Sequence, residues 1–82
     1  RFKKDLKKAK KTPRQHTDKL LSAIETLAIH SVLSEDYLPQ CLSGSWKPKW
    51  ECHILPNFLL IYEVIKEVLR LERCGSHSEL FE

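Results

Sequence analysis

The chain has no apolar run longer than about five residues, at 58–62, which excludes a membrane-spanning helix. Its first fourteen residues are basic and contain no apolar core, so no secretory signal is visible. A glycine-rich phosphate loop, an HExxH pair and a GxSxG elbow are all missing. These absences remove the familiar nucleotide-hydrolase, metalloprotease and serine-hydrolase signatures. Cysteine is scarce and unpaired: Cys41, Cys52 and Cys74 form no CxxC. An odd count with no framework fits a reducing cytoplasm better than a disulfide scaffold. Cys74-x-x-His77 has the spacing of a metal-ligand pair, and Cys52 precedes His53. Adjacent strand residues point to opposite faces, however, and structural zinc sites bring two such pairs. No metal and no cofactor is therefore expected. Internal repeats and low-complexity segments are also absent.

What remains is 82 residues, enough for one small domain. A single core of that size contributes only about 3–5 kcal/mol of net stability, so a bound partner would help. Charge is distributed unevenly. Residues 1–14 hold Arg1, Lys3, Lys4, Lys7, Lys8, Lys10, Lys11 and Arg14 against Asp5 alone, a net +7, while the other 68 residues net −4. Most basic runs are solvated helix faces. A charge this concentrated favours a polyanion, because phosphate neutralisation dominates such binding.

Phe2, Leu6 and Ala9 fall at helical spacing and predict a short helix over 2–10. Thr12 is placed to cap a second helix, with Pro13 at its first position. Leu20, Ile24, Leu27 and Ala28 carry that helix to His30. Residues 31–48 read as a loop. Three strand-like runs follow, at 49–55, 58–65 and about 67–74, separated by Pro56-Asn57 and Lys66-Glu67. In the last run Leu69, Leu71 and Arg73 are expected on one face, and residues 76–82 form a tail. Helices first and strands after predict an α+β domain, a helical pair on an antiparallel sheet.

The residues able to do chemistry lie late in the chain: His53, Tyr62, Arg73, His77 and Phe81. Two histidines and an arginine beside a basic surface suit RNA cleavage by the RNA's own 2′-hydroxyl. Histidine titrates near working pH and serves as base and acid, and the arginine fork steadies charge on phosphorus. Each also has a plain structural reading. His53 can be a satisfied strand histidine, Arg73 an ion-pair partner, His77 a solvated side chain, and Phe81 a plug for a small core.

The second half resembles the YafQ branch of the RelE/ParE toxin superfamily, bacterial toxins of toxin–antitoxin pairs. The resemblance rests on Leu42-Ser43-Gly44-Ser45-Trp46-Lys47, Glu51-Cys52-His53-Ile54-Leu55-Pro56, Leu59-Leu60-Ile61-Tyr62 and the closing Arg70-Leu71-Glu72-Arg73-Cys74-Gly75-Ser76-His77-Ser78-Glu79-Leu80-Phe81. It covers about forty residues, and Phe2-Lys3-Lys4-Asp5-Leu6 adds a match in pattern. It implies a RelE-like α+β fold, two N-terminal helices packed on a twisted antiparallel sheet, as a single domain over 1–82. The family normally has a strand before the first helix, so a preceding segment is expected.

The implied activity is metal-independent endoribonuclease cleavage of messenger RNA on the ribosome. The implied partners are a cognate antitoxin, messenger RNA and ribosome, with operator DNA reached only through the antitoxin complex and no membrane. By the same resemblance His53 and His77 transfer protons, Arg73 faces the scissile phosphate and Phe81 positions the RNA. Gln40, Asn57 and Tyr62 are supporting candidates, and Lys3, Lys4, Lys7, Lys8, Lys10, Lys11, Lys47 and Lys49 are candidates for nucleic-acid binding. Two positions depart from the pattern. Gln40 stands where relatives often have histidine, and Asn57 where they often have aspartate. If Asn57 occupies the position of the base, the protein is slow or inactive; if that position only orients a histidine or the RNA, activity persists with His53 and His77 as the pair. The alternative is a toxin of the same fold that acts by binding ribosome or gyrase rather than by cutting RNA.

Overall fold

The computed structural model describes residues 1–46 and 48–81. Helix α1 spans Phe2–Ala9 and α2 spans Arg14–His30. In α1 the apolar stripe turns inward: Ala9 is buried, Phe2 and Leu6 pack on the core, and the lysines stay exposed. Thr12 does not cap α2. Its hydroxyl donates instead to the Ala9 carbonyl and closes α1, leaving Pro13 as an N-cap with no side-chain bond. In α2 the buried positions are Leu20, Ala23 and Leu27, while Ala28 faces out. The helix stops at Ser31, which takes a left-handed conformation and donates its N–H to the Leu27 carbonyl.

The segment read as a loop holds more order than expected. It contains 3-10 turns at Glu35–Tyr37 and Gly44–Trp46 and a two-residue strand, β1, at Gln40–Cys41. Strands β2 (Trp50–Leu55), β3 (Phe58–Ile65) and β4 (Val68–Gly75) follow. All pairs are antiparallel, in the order β1-β2-β3-β4. At the β3–β4 turn Lys66 and Glu67 both have positive φ, 47° and 69°, the backbone that a tight two-residue hairpin turn of matching twist requires. The expected tail is in fact a third helix, α3, His77–Phe81.

The sheet separates two apolar clusters. Cys52, Ile54, Leu60, Tyr62 and Cys74 pack with Leu20, Ala23 and Leu27 of α2, and form the main core. On the opposite face Leu59 and Ile61 meet Leu80 of α3, flanked by Leu42 and Trp46. Two register shifts interrupt the sheet, one between His53 and Leu55 in β2 and one opposite Ile61 and Tyr62 in β4. In β4, Arg73 pairs with Ile61 and Leu71 with Tyr62, so Glu72 is the extra residue of a bulge. The bulge overturns the expected single face. Leu69 and Leu71 point to the main core, whereas Arg73 falls in step with Ile61 on the other side.

Candidate active site

Three of the sequence candidates, His53, His77 and Phe81, meet on the face that carries the smaller cluster. His53 lies in β2 opposite Leu59, and His77 opens α3. Their ring centroids are 5.9 Å apart. Phe81 lies 5.9 Å beyond His77, and Trp46 packs edge-on against Phe81 at 5.6 Å. The result is a row of rings, His53, His77, Phe81 and Trp46, assembled from three separate chain segments. Phe81 remains partly open to solvent at 38% exposure. His53 also lines a groove of about 490 Å³ shared with Asp36, Tyr37 and Leu38. These three sit in the segment read as a featureless loop.

α3 is short, so its start must be held. Ser76 and Glu79 form a reciprocal capping box: the Glu79 N–H donates to Ser76 Oγ at 3.3 Å, and the Ser76 N–H donates to Glu79 Oε1 at 2.9 Å. The other oxygen, Glu79 Oε2, pairs with Lys8 of α1. Lys8 and the Ser76 N–H together draw the Glu79 carboxyl down to about 2. Gly75 makes this possible. Its φ is +152°, and a Cβ there would stand 3.0 Å from Glu79 Oε1. Asn57 contributes directly to His77, accepting its backbone N–H at 3.2 Å. An amide oxygen performs that task as a carboxylate would.

Arg73 is not free. Its Nε and Nη2 donate to Asp5 Oδ2 and Oδ1 at 2.9 and 3.1 Å, which ties β4 to α1. The bonds to Asp5 raise its already high pKa, so the guanidinium is always charged. Arg73 lines a cleft of about 400 Å³ with Arg1, Lys4, Asp5, Lys8 and Glu79. Sequence reasoning missed Asp5 as a partner, because the two residues lie 68 positions apart.

The other candidates lie elsewhere. Tyr62 is buried in the helix-facing core, where burial pushes its hydroxyl up to about 12, and it does not join the histidines. Gln40 is exposed in β1, opposite Glu51. Lys3, Lys4, Lys7, Lys8, Lys10 and Lys11 are exposed on or just after α1. Lys49 is half-buried, and its backbone N–H donates to the Trp46 carbonyl. Lys47 falls outside the described residues. Among the described residues, no three His, Cys, Asp or Glu side chains stand close enough to hold a metal ion, and no helix is long and apolar enough to cross a membrane.

The family described as "Bacterial toxin of type II toxin-antitoxin system, YafQ" matches residues 1–82. The chain is 37% identical to the "mRNA interferase toxin YafQ" of Escherichia coli K12 over 83 residues, covering 98% of this chain and 87% of that protein. The E. coli DinJ–YafQ toxin–antitoxin complex has a toxin fold that superposes with a TM-score of 0.85 at 34% identity, over 99% of this chain and 90% of that one. A metal-bound toxin from Helicobacter pylori superposes with a TM-score of 0.83 at 38% identity, over 98% and 90% of the two chains.

Proposed function

Because the chain belongs to the YafQ family of type II toxin–antitoxin toxins, we propose that it is an endoribonuclease that cuts messenger RNA on the translating ribosome, without a metal ion. The observation that carries this reading is the approach of His53 and His77 to 5.9 Å from different elements. Two imidazoles at that separation can flank one phosphodiester. One, unprotonated, takes the proton of the 2′-hydroxyl. The resulting oxygen attacks phosphorus, and the bond to the 5′-oxygen breaks. The other, protonated, gives its proton to that leaving oxygen. The products are a 2′,3′-cyclic phosphate and a 5′-hydroxyl. Arg73 supplies fixed positive charge for the non-bridging oxygens. Phe81, braced by Trp46, offers a stacking face to a neighbouring base. Asn57 accepts the His77 backbone N–H, a positioning role that an amide fills as a carboxylate would. The lysines of α1 hold flanking phosphates. A cognate antitoxin, as DinJ is for the E. coli relative, would cover the site and add to the modest stability of a domain this small.

The test is translation of a defined message in vitro, with 5′ ends mapped by primer extension. New ends are expected only with translating ribosomes, and His77→Ala should reduce them by at least about 10²-fold while antitoxin binding persists. Protein stripped with a chelator and desalted should cut as well as untreated protein. Ends that survive His77→Ala would refute the site assignment. No ends at all from a folded, antitoxin-binding protein would favour a toxin that acts by binding.

A further inference from the structure

Asp5 is the single acid among the first fourteen residues. It lies on a strongly basic helix, yet its side chain is only 11% exposed. A carboxylate so enclosed needs partners, and it has three: Arg73 Nε at 2.9 Å, Arg73 Nη2 at 3.1 Å and the Cys74 N–H at 3.2 Å. The two guanidinium bonds make a parallel fork, the arrangement with the most orientational control. They use the Nε/Nη2 edge. Nη1 keeps both hydrogens and Nη2 keeps one, so the opposite edge of the fork can still grip a phosphate. That side chain lines the cleft shared with Arg1, Lys4, Lys8 and Glu79, the last of which is paired with Lys8. The bulge at Glu72 has already turned Arg73 away from the apolar rhythm of Leu69 and Leu71. Two independent devices, one in the strand and one on the helix, thus fix the direction of one cation.

We propose that Asp5 is a positioning residue for RNA cleavage, holding Arg73 from α1 so that the free edge of the guanidinium meets the scissile phosphodiester while flanking phosphates run along Arg1 and Lys4. This inference rests on the cleavage reading above. Lys8 belongs to the same clamp, since its pairing with Glu79 fastens the next turn of α1 to the start of α3. The helix thereby ties the orientation of Arg73 to the placement of His77.

The experiment is a double-mutant cycle in the ribosome assay with Asp5→Asn, Arg73→Ala and the double variant, reading kcat and KM separately. Antitoxin binding serves as the check on fold. Asp5→Asn should lower kcat by about 10²-fold, the scale of a misplaced catalytic group, and leave KM within about threefold. In the Arg73→Ala background it should add nothing, which a general loss of fold would not reproduce. Asp5→Glu keeps the charge and lengthens the arm by one methylene. It serves as the folded variant if Asp5→Asn does not fold, and should lose about tenfold in kcat. Parental or faster cutting by Asp5→Asn, parental cutting by Asp5→Glu, or a loss that adds fully to that of Arg73→Ala would each overturn the proposal. If Arg73→Ala itself cuts normally, the assignment of Arg73 fails first and this inference with it. If Arg73→Ala is silent and Asp5→Asn is normal, only this inference fails.

Discussion

Glu79 offers the sharpest test of how the site is held. A five-residue helix cannot persist by its own hydrogen bonds, yet α3 carries both His77 and Phe81. What fixes it is burial of Leu80 together with the Ser76–Glu79 capping box and the bond of Glu79 to Lys8. Glu79→Gln keeps a capping side chain and removes the ion pair. With Lys8 72% and Glu79 36% exposed, that pair is screened and is worth roughly 0.2–1 kcal/mol. Glu79→Ala removes the cap as well and should cost about 1 kcal/mol more. Denaturant melts at pH 7 should therefore rank the parent above Glu79→Gln above Glu79→Ala. Acid changes the ranking in a defined way. The pair with Lys8 and the Ser76 N–H hold the folded carboxyl below its unfolded value of 4.5, toward about 2, so its contribution is whole above 4.5 and is lost as pH falls to 2. The gap between the parent and Glu79→Gln should accordingly shrink from pH 5 downward and close near pH 2. Cleavage should fall more than tenfold in Glu79→Ala, through a frayed helix, and only a few-fold in Glu79→Gln. A Glu79→Gln protein less stable than Glu79→Ala, or a gap that stays constant to pH 2, would refute the reasoning.

Two further outcomes are expected. Burial holds Cys52 and Cys74 at about 12, so at pH 8 their thiolate fraction is about 10⁻⁴ and a thiol reagent should label only exposed Cys41 in native protein, but all three in denaturant. Rapid labelling of two or three thiols without denaturant would show the core to be loosely packed. Asn57→Asp keeps an acceptor for the His77 N–H and should cut within about threefold of the parent, whereas Asn57→Ala should lose the bond, about 1 kcal/mol, and much of the activity. A gain on the order of 10² in Asn57→Asp would instead identify this position with the base.

Periodicity was enough to locate the long elements. The stripe of Phe2, Leu6 and Ala9 and the β-branched, aromatic run of β3 each point to one structure only. Where reading failed, the cause was local chemistry or distance. Ser76-x-x-Glu79 is a legible capping signature, yet the helix it starts is too short to show an apolar period, so the segment read as a tail. Thr12 has the chemistry of an N-cap, but the Ala9 carbonyl one turn earlier claimed its hydroxyl. β1 is too brief to carry an alternating pattern. Within the site, the histidines, Arg73 and Phe81 were visible as residue types, and the meeting of His53 with His77 follows from register and the α3 turn. The pairing of Asp5 with Arg73 was not legible, because nothing local links the two ends of the chain.

The extra residue in β4 acts as a phase shift. Before it the odd positions Leu69 and Leu71 face the main core, and after it that face passes to Cys74 while Arg73 turns to the side of Ile61. Leu71 and Arg73 are next-but-one neighbours, yet they answer to different demands, one to packing on the main core and the other to the fork with Asp5. Without the bulge the same sequence would run in a single rhythm and place Arg73 and Leu71 on one side. The division between the two faces therefore hangs on one extra residue in one strand.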